Sequence, residues 1–283
     1  MDFSSNRLNG TLPLTITDLA SLSFLSLDHN QLSGVVLQAG ESLGNLSNLL
    51  HLHLSRNYLS GQLPSELGLL TRLHELDVGH NNFRGELPPS VGNLTRLTHL
   101  GLVEVTLTGT LPTELGLLRE LDSLELADNQ LEGTLPTEMG QLVGLVVLDL
   151  SSNHLEGTIP TQWGQLVHLE ELFLGANSQL SGTIPTELGL LTGLLHLSMD
   201  ETLLTGDFPT SLCEAAEATL EQQDEGYEVA NATALGSLEC SYAQRKTFPL
   251  VWAIVSSDTK SRRRAQASSG RLRYRNMPNL GRK

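Results

Sequence analysis

The residues best equipped for chemistry are imidazoles and carboxylates, and they come at regular intervals. Of nine histidines, His29, His51, His53, His74, His80, His99 and His196 stand beside short Leu-x-Leu phrases, interleaved with Glu75 and Asp77. Farther along, Asp122, Glu125, Asp128 and Asp149 make an acidic stretch. Three readings fit. A solvated polar surface is the plainest, because exposed charges keep sheets soluble. A pH-sensitive binding patch is the second, since unperturbed histidine titrates near 6.5. A zinc-type site is the third, but no fixed ligand spacing is visible, so no metal ligand is assigned. No glycine-rich phosphate loop, Gly-x-Ser-x-Gly elbow, His-Glu-x-x-His pair or paired-cysteine motif occurs, so neither catalysis nor a cofactor is expected.

What must position these residues is a repeat. Leu52-His53-Leu54-Ser55-Arg56-Asn57, Leu124-Glu125-Leu126-Ala127-Asp128-Asn129 and Leu148-Asp149-Leu150-Ser151-Ser152-Asn153 share one form. Asn recurs at 6, 30, 57, 81, 129, 153 and 177, with Val105 and Thr202 in the two slots that lack it. Val36 to Glu41 lengthens one unit. A glycine follows every slot, at 10, 34, 61, 85, 109, 133, 157, 182 and 206. A proline follows the glycine by three residues in all units but the second, which reads Gly34-Val35-Val36-Leu37.

Each repeated position has a physical job. Leucines alternating with polar residues have the period of a strand with one buried face. The chain then turns, and the turn would bury unpaired backbone groups. An asparagine amide both donates and accepts, so a column of asparagines can satisfy neighbouring turns. Val105 cannot do this and Thr202 does it poorly, which predicts local weakening there. Glycine permits a backbone conformation closed to other residues, and proline starts a short helical turn. In Pro112–Gly116 and Pro136–Gly140 a glutamate sits near the turn's N-terminus, and the final glycine is expected to close the turn. One such unit cannot bury its own face and needs stacked neighbours.

Residues between the leucines should point outward. Three columns follow: Phe24, His51, Glu75, His99, Ser123, Val147, Glu171, His196; then Ser26, His53, Asp77, Gly101, Glu125, Asp149, Phe173, Ser198; then His29, Arg56, His80, Glu104, Asp128, Ser152, Ala176, Glu201. From these and the adjoining His74, the candidate binding face is drawn. Phe24, Val146, Val147 and Phe173 are candidate contact anchors, as aromatics are enriched at interface hot spots.

The phrase Leu-x-x-Leu-x-Leu-x-x-Asn-x-Leu-x-Gly-x-Ile/Leu-Pro-x-x-Leu-Gly resembles plant-type leucine-rich repeats. That class includes ectodomains of receptor-like kinases and receptor-like proteins, and polygalacturonase-inhibiting proteins. Gly-Thr-Ile-Pro-Thr-Glu-Leu-Gly at 182–189 is also similar to diatom repeat families. The resemblance implies an α/β leucine-rich-repeat solenoid, curved, with a parallel sheet on the concave face and 3-10 or irregular turns on the convex side. It further implies a second short strand around Gly-x-Ile-Pro. Family members bind proteins, peptides or glycans on the concave or lateral surface, and such a partner is expected here; an intracellular scaffold is the alternative. Enzyme inhibition is a third reading, carried by resemblance alone. The resemblance also makes Cys213 the start of a C-terminal cap with Cys240 as its disulfide partner; two free thiols remain the other reading.

Three segments are expected: a solenoid over 1–212, a cap over 213–244, and a basic disordered tail over 245–283. The charge supports the last boundary. Residues 1–244 carry 6 basic and 31 acidic side chains, a net −25, whereas 245–283 carry 11 basic and 1 acidic, a net +10. The tail has one aromatic beside its arginines, Tyr274, too little for a stacking platform, and nucleic-acid binding is not expected. Phe248 to Val255 is too short to span a bilayer, so membrane attachment would need an anchor outside this sequence. No secretory leader is visible, and Met1 stands where a repeat leucine belongs, so upstream sequence is expected to be missing. Four sequons, at Asn9, Asn45, Asn93 and Asn231, together with the cysteines, favour an extracellular or cell-surface location over a cytoplasmic one.

Overall fold

The computed structural model describes residues 1–35 and 43–211. The Cys213 and Cys240 pairing, Asn231, the 213–244 cap and the 245–283 tail lie outside the described residues. What is described is a stack of coils, each adding one strand to a parallel sheet. Eight strands line up in chain order: Phe24–Ser26, His51–His53, Glu75–Asp77, His99–Gly101, Ser123–Glu125, Val147–Asp149, Glu171–Phe173 and His196–Ser198. Asp2 extends the edge through a single parallel bridge to Ser26. The strands are short because only the middle residue of each, Leu25, Leu52, Leu76, Leu100, Leu124, Leu148, Leu172 or Leu197, goes into the core. Parallel pairing stacks these leucines one on another. The core is aliphatic with a few aromatic replacements. Trp163 is fully buried and its indole N–H donates to Pro136 O at 3.2 Å.

The opposite side carries short 3-10 turns, including Ser65–Leu69, Pro89–Asn93, Thr113–Leu117, Thr137–Gln141, Thr161–Gln165 and Thr186–Leu190. Most begin directly after the repeat proline, which holds an extended conformation, as at Pro112 with φ −69° and ψ 137°. One expectation is corrected. Gly116 and Gly140 do not close these turns; they lie inside them, and Leu118 and Leu142 occupy the C-cap positions. Glycine is needed for close approach instead. A Cβ on Gly140 would stand 2.5 Å from Gln162 O in the next coil, and one on Gly92 would stand 2.6 Å from Glu114 O.

Between the two sides run further short strands, as the resemblance implied. They form two sheets, one ending at Asn82–Phe83 and one starting at Gly85–Glu86. Their glycines have φ between +74° and +105°, the conformation that excludes side chains.

The asparagines satisfy the turns as their chemistry allows. Asn57 Nδ2 donates to Leu54 O at 3.0 Å in its own coil and to Leu27 O at 2.9 Å in the coil before, while its Oδ1 accepts the Leu32 N–H at 3.0 Å. Asn81, Asn129, Asn153 and Asn177 repeat the pattern. The two substituted slots interrupt it. With Val105 in place of asparagine, no amide meets the Phe83 N–H among the described residues, and the lateral sheet splits between Phe83 and Gly85. Thr106 takes a left-handed φ of 55° and its hydroxyl donates to Phe83 O at 2.6 Å. At the other slot Thr202 donates to Met199 O alone, and the Leu180 N–H turns to Asn177 O at 3.0 Å.

Candidate functional site

The three columns read from the sequence are assembled on one face, two of them on strands and one in the turns. Strand register sets Phe24 beside His51, His51 beside Glu75, Glu75 beside His99, and continues through Ser123, Val147 and Glu171 to His196. The second column runs from Ser26 and His53 through Asp77, Gly101, Glu125, Asp149 and Phe173 to Ser198. Most of these side chains are half-buried against their neighbours. The third column is not on the strands. His29, Arg56, His80, Glu104, Asp128, Ser152, Ala176 and Glu201 lie in the turn that follows, all at φ between 53° and 56°. That left-handed conformation is uncommon for residues with a side chain.

The densest group sits toward the first coils. Glu75 Oε2 lies 2.9 Å from His53 Nε2 and 3.3 Å from His51 Nδ1. Phe24 closes one side, its ring 5.7 Å from that of His51 and 5.8 Å from that of His53. His74 stacks on His51 at 6.2 Å and 23°. The hydrogen bond from His53 holds the Glu75 carboxyl down at about 2, against the opposing effect of burial, with His51 assisting. Burial disfavours the charged form of His53. Its bond to Glu75 and the charges of Glu75, Asp28 and Asp77 outweigh this, and its pKa is raised. His51, His53 and Glu75 present one ligand atom each, all within 4.8 Å of one another, and form the group among the described residues that could hold a metal ion.

Two looser pairs follow. His80 Nδ1 is 2.7 Å from Glu104 Oε2, and His99 Nδ1 is 4.0 Å from Glu125 Oε1. Gly101 leaves a dip in the second column, where a Cβ would stand 3.0 Å from His99 Nε2 and 3.1 Å from Asp77 Oδ1. Farther along, Asp149 Oδ1 accepts the Ser151 N–H at 3.0 Å and its hydroxyl at 2.6 Å. Burial nevertheless pushes Asp149 up to about 6, and the nearby Glu125 and Asp128 charges add to the rise. Phe173 pairs with Asp149 across the strands and keeps an apolar surface next to it.

Two aspartates at the ends of the sheet add to this face, Asp28 two residues before Asn30 and Asp200 two residues before Thr202. Asp28 accepts from Ser26 Oγ at 3.2 Å, and Asp200 from Ser198 Oγ at 2.5 Å. The shared Ser-x-Asp spacing is their signal in the sequence. Three sequons, Asn9, Asn45 and Asn93, are exposed and none belongs to the columns. No helix among the described residues is long and apolar enough to cross a membrane.

The Leucine Rich Repeat family pattern matches residues 48–70, 72–94 and 144–166. No curated protein matches the chain. Among solved structures, the complex of PEPR1 with AtPEP1 is 36% identical with a TM-score of 0.65, over 76% of this chain and 33% of that one. The Arabidopsis receptor kinase HAESA, solved with the peptide hormone IDA and the co-receptor SERK1, is 33% identical with a TM-score of 0.71, over 75% of this chain and 35% of that one. A plant ice-binding protein is 28% identical with a TM-score of 0.62, and 74% of each chain is covered. The chain spans about a third of the length of these two receptor structures. Repeat phrase, asparagine ladder, parallel sheet and structural neighbours agree: the chain is a leucine-rich-repeat solenoid similar to plant receptor ectodomains.

Proposed function

We propose that this chain is a recognition module that binds a protein or peptide along the concave columns, as part of a secreted or cell-surface protein. The observation that carries this is the strand register. It sets ionisable and aromatic side chains in two continuous rows on strands whose backbone is already paired. A rigid sheet presenting aligned side chains costs little ordering on binding. The HAESA and PEPR1 complexes, with their peptide partners, support the same reading. Glu125, Asp128, Asp149 and Glu171 favour a ligand with basic groups, and Phe173 beside them favours an apolar group within it.

Selection of a displayed random-peptide library on the full chain tests the reading. A consensus with basic and apolar residues is expected, and its binding should fall at least tenfold in Phe173→Asp and in Glu125→Lys. A library without enrichment, or a consensus insensitive to both changes, overturns it.

A second reading rests on the lateral sheet. Thr110, Thr134, Thr158 and Thr183 are exposed, each one coil from the next, at a strand spacing of about 4.8 Å. A regular hydroxyl and methyl array of this kind suits an ice surface, and the ice-binding neighbour shares the architecture. Exposed Glu132 and Glu156 interrupt the parallel row beside it, so the concave reading comes first. Inhibition of ice recrystallisation by the protein, lost in Thr134→Lys, would reverse that order.

A further inference from the structure

We propose that His51 Nδ1, His53 Nε2 and Glu75 Oε2 bind a divalent first-row transition metal ion, with Zn²⁺ as the type. The donors come from two adjacent strands. His51 and His53 share a face because they are two residues apart, and Glu75 is set directly opposite His51 by register. Zinc–ligand bonds of 2.0–2.1 Å place tetrahedral donors about 3.3 Å apart. The His51–Glu75 separation is 3.3 Å and the His53–Glu75 separation 2.9 Å. Two of three ligand edges therefore need changes of only a few tenths of an ångström. The ion takes the place of the proton now shared between His53 and Glu75.

The surroundings fit a bound cation. The three side chains are 24–32% exposed, so they are half-shielded but open to entry from the concave side. Three protein ligands leave at least one coordination position for water or for a group of a bound partner. Asp28 and Asp77 add negative charge near His53. Phe24 and the stacked His74 wall the site and limit ring rotation. The other pairs on this face, His80 with Glu104 and His99 with Glu125, offer two donors each and make no comparable cluster. The proposal does not depend on the face being a peptide groove.

Calorimetric titration of the chelator-treated full chain with ZnCl₂ tests it, alongside a chain carrying Cys213→Ser and Cys240→Ser. One equivalent should bind in both. His53→Ala and Glu75→Gln should each weaken it at least tenfold, and His51→Ala with His53→Ala should abolish it. His154→Ala, on the lateral sheet, should leave it unchanged. Co²⁺ added to the unaltered chain gives an independent reading that needs no variant. It should show visible bands of a nitrogen–oxygen site without a near-ultraviolet thiolate band. Absence of binding overturns the proposal. So does binding that survives loss of both histidines, or that carries a thiolate band and disappears with the cysteines.

Discussion

Asn129 Oδ1 accepts the Leu107 N–H at 2.8 Å, and its Nδ2 donates to Leu102 O, also at 2.8 Å. With a further donation from Nδ2 to Leu126 O at 3.0 Å, one buried side chain closes its own turn and ties it to the preceding coil. Removing it leaves several backbone groups buried without partners. Each such group costs roughly 1–3 kcal/mol. Asn129→Ala should lower stability by about 3 kcal/mol or more. The missing rung gives the reciprocal case. Val105→Asn places an amide where the Phe83 N–H lacks one, and should raise stability by about 1 kcal/mol. Denaturant midpoints of the two variants check both signs. A Val105→Asn chain less stable than the parent would show that valine packing outweighs the ladder there.

Asp149 supplies a pH signature. Its folded pKa is raised to about 6 from an ordinary 3.8, chiefly by burial. The folded state therefore holds its proton at pH values where the unfolded state has lost it. Stability should fall as pH rises from about 4 to about 6, and stay low above that. Asp149→Asn keeps an acceptor for Ser151 and removes the charge. It should flatten the profile in that window and stabilise the fold at pH 7 by about 1–2 kcal/mol, discounted for partial exposure. Urea midpoints at pH 4, 5, 6 and 7 decide this; parallel profiles for the two chains would count against it.

The convex glycines make a sharper steric case. At Gly116 a Cβ would collide with Glu138 O of the next coil, and backbone cannot rotate away. Gly116→Ala should cost about 2–3 kcal/mol as overpacking. At Gly144 the nearest atom is Arg119 O at 3.6 Å, an ordinary contact, and Gly144→Ala should be tolerated. Thermal unfolding of the pair separates collision from any general effect of losing glycine. Equal shifts would return Gly116 to a conformational role.

That pair shows where sequence reading succeeded and stopped. The columns through His51, Glu75 and His99 follow from a period of two on a strand and a near-constant repeat, so register was legible. The role of Gly116 was not, because it depends on how close the next coil comes, and no local pattern encodes that distance. The His51–His53–Glu75 group was only half legible. Its residues share one face by periodicity, but the third donor arrives from the neighbouring coil, so no ligand spacing along the chain marks the group. The left-handed turn at Arg56 and His80 was likewise hidden, since neither residue type announces a positive φ.

Location is the expectation most open to a direct test. Asn9, Asn45 and Asn93 are exposed and none belongs to the concave columns, so glycans there would leave the proposed binding face open. Asn93 ends the Pro89–Asn93 turn on the convex side. Asn-Leu-Thr is also a natural phrase of the repeat, so its presence alone decides nothing. The mass of the protein from its native source discriminates. If the chain passes through the secretory route, N-glycosidase should remove mass, and Asn93→Gln should remove one glycan's share. Reduction should then add two hydrogens if Cys213 and Cys240 are bridged. A bare chain with free thiols would instead make the sequons by-products of the repeat. It would move the module inside the cell, where its partner would be a cytoplasmic protein and the concave columns a scaffold surface.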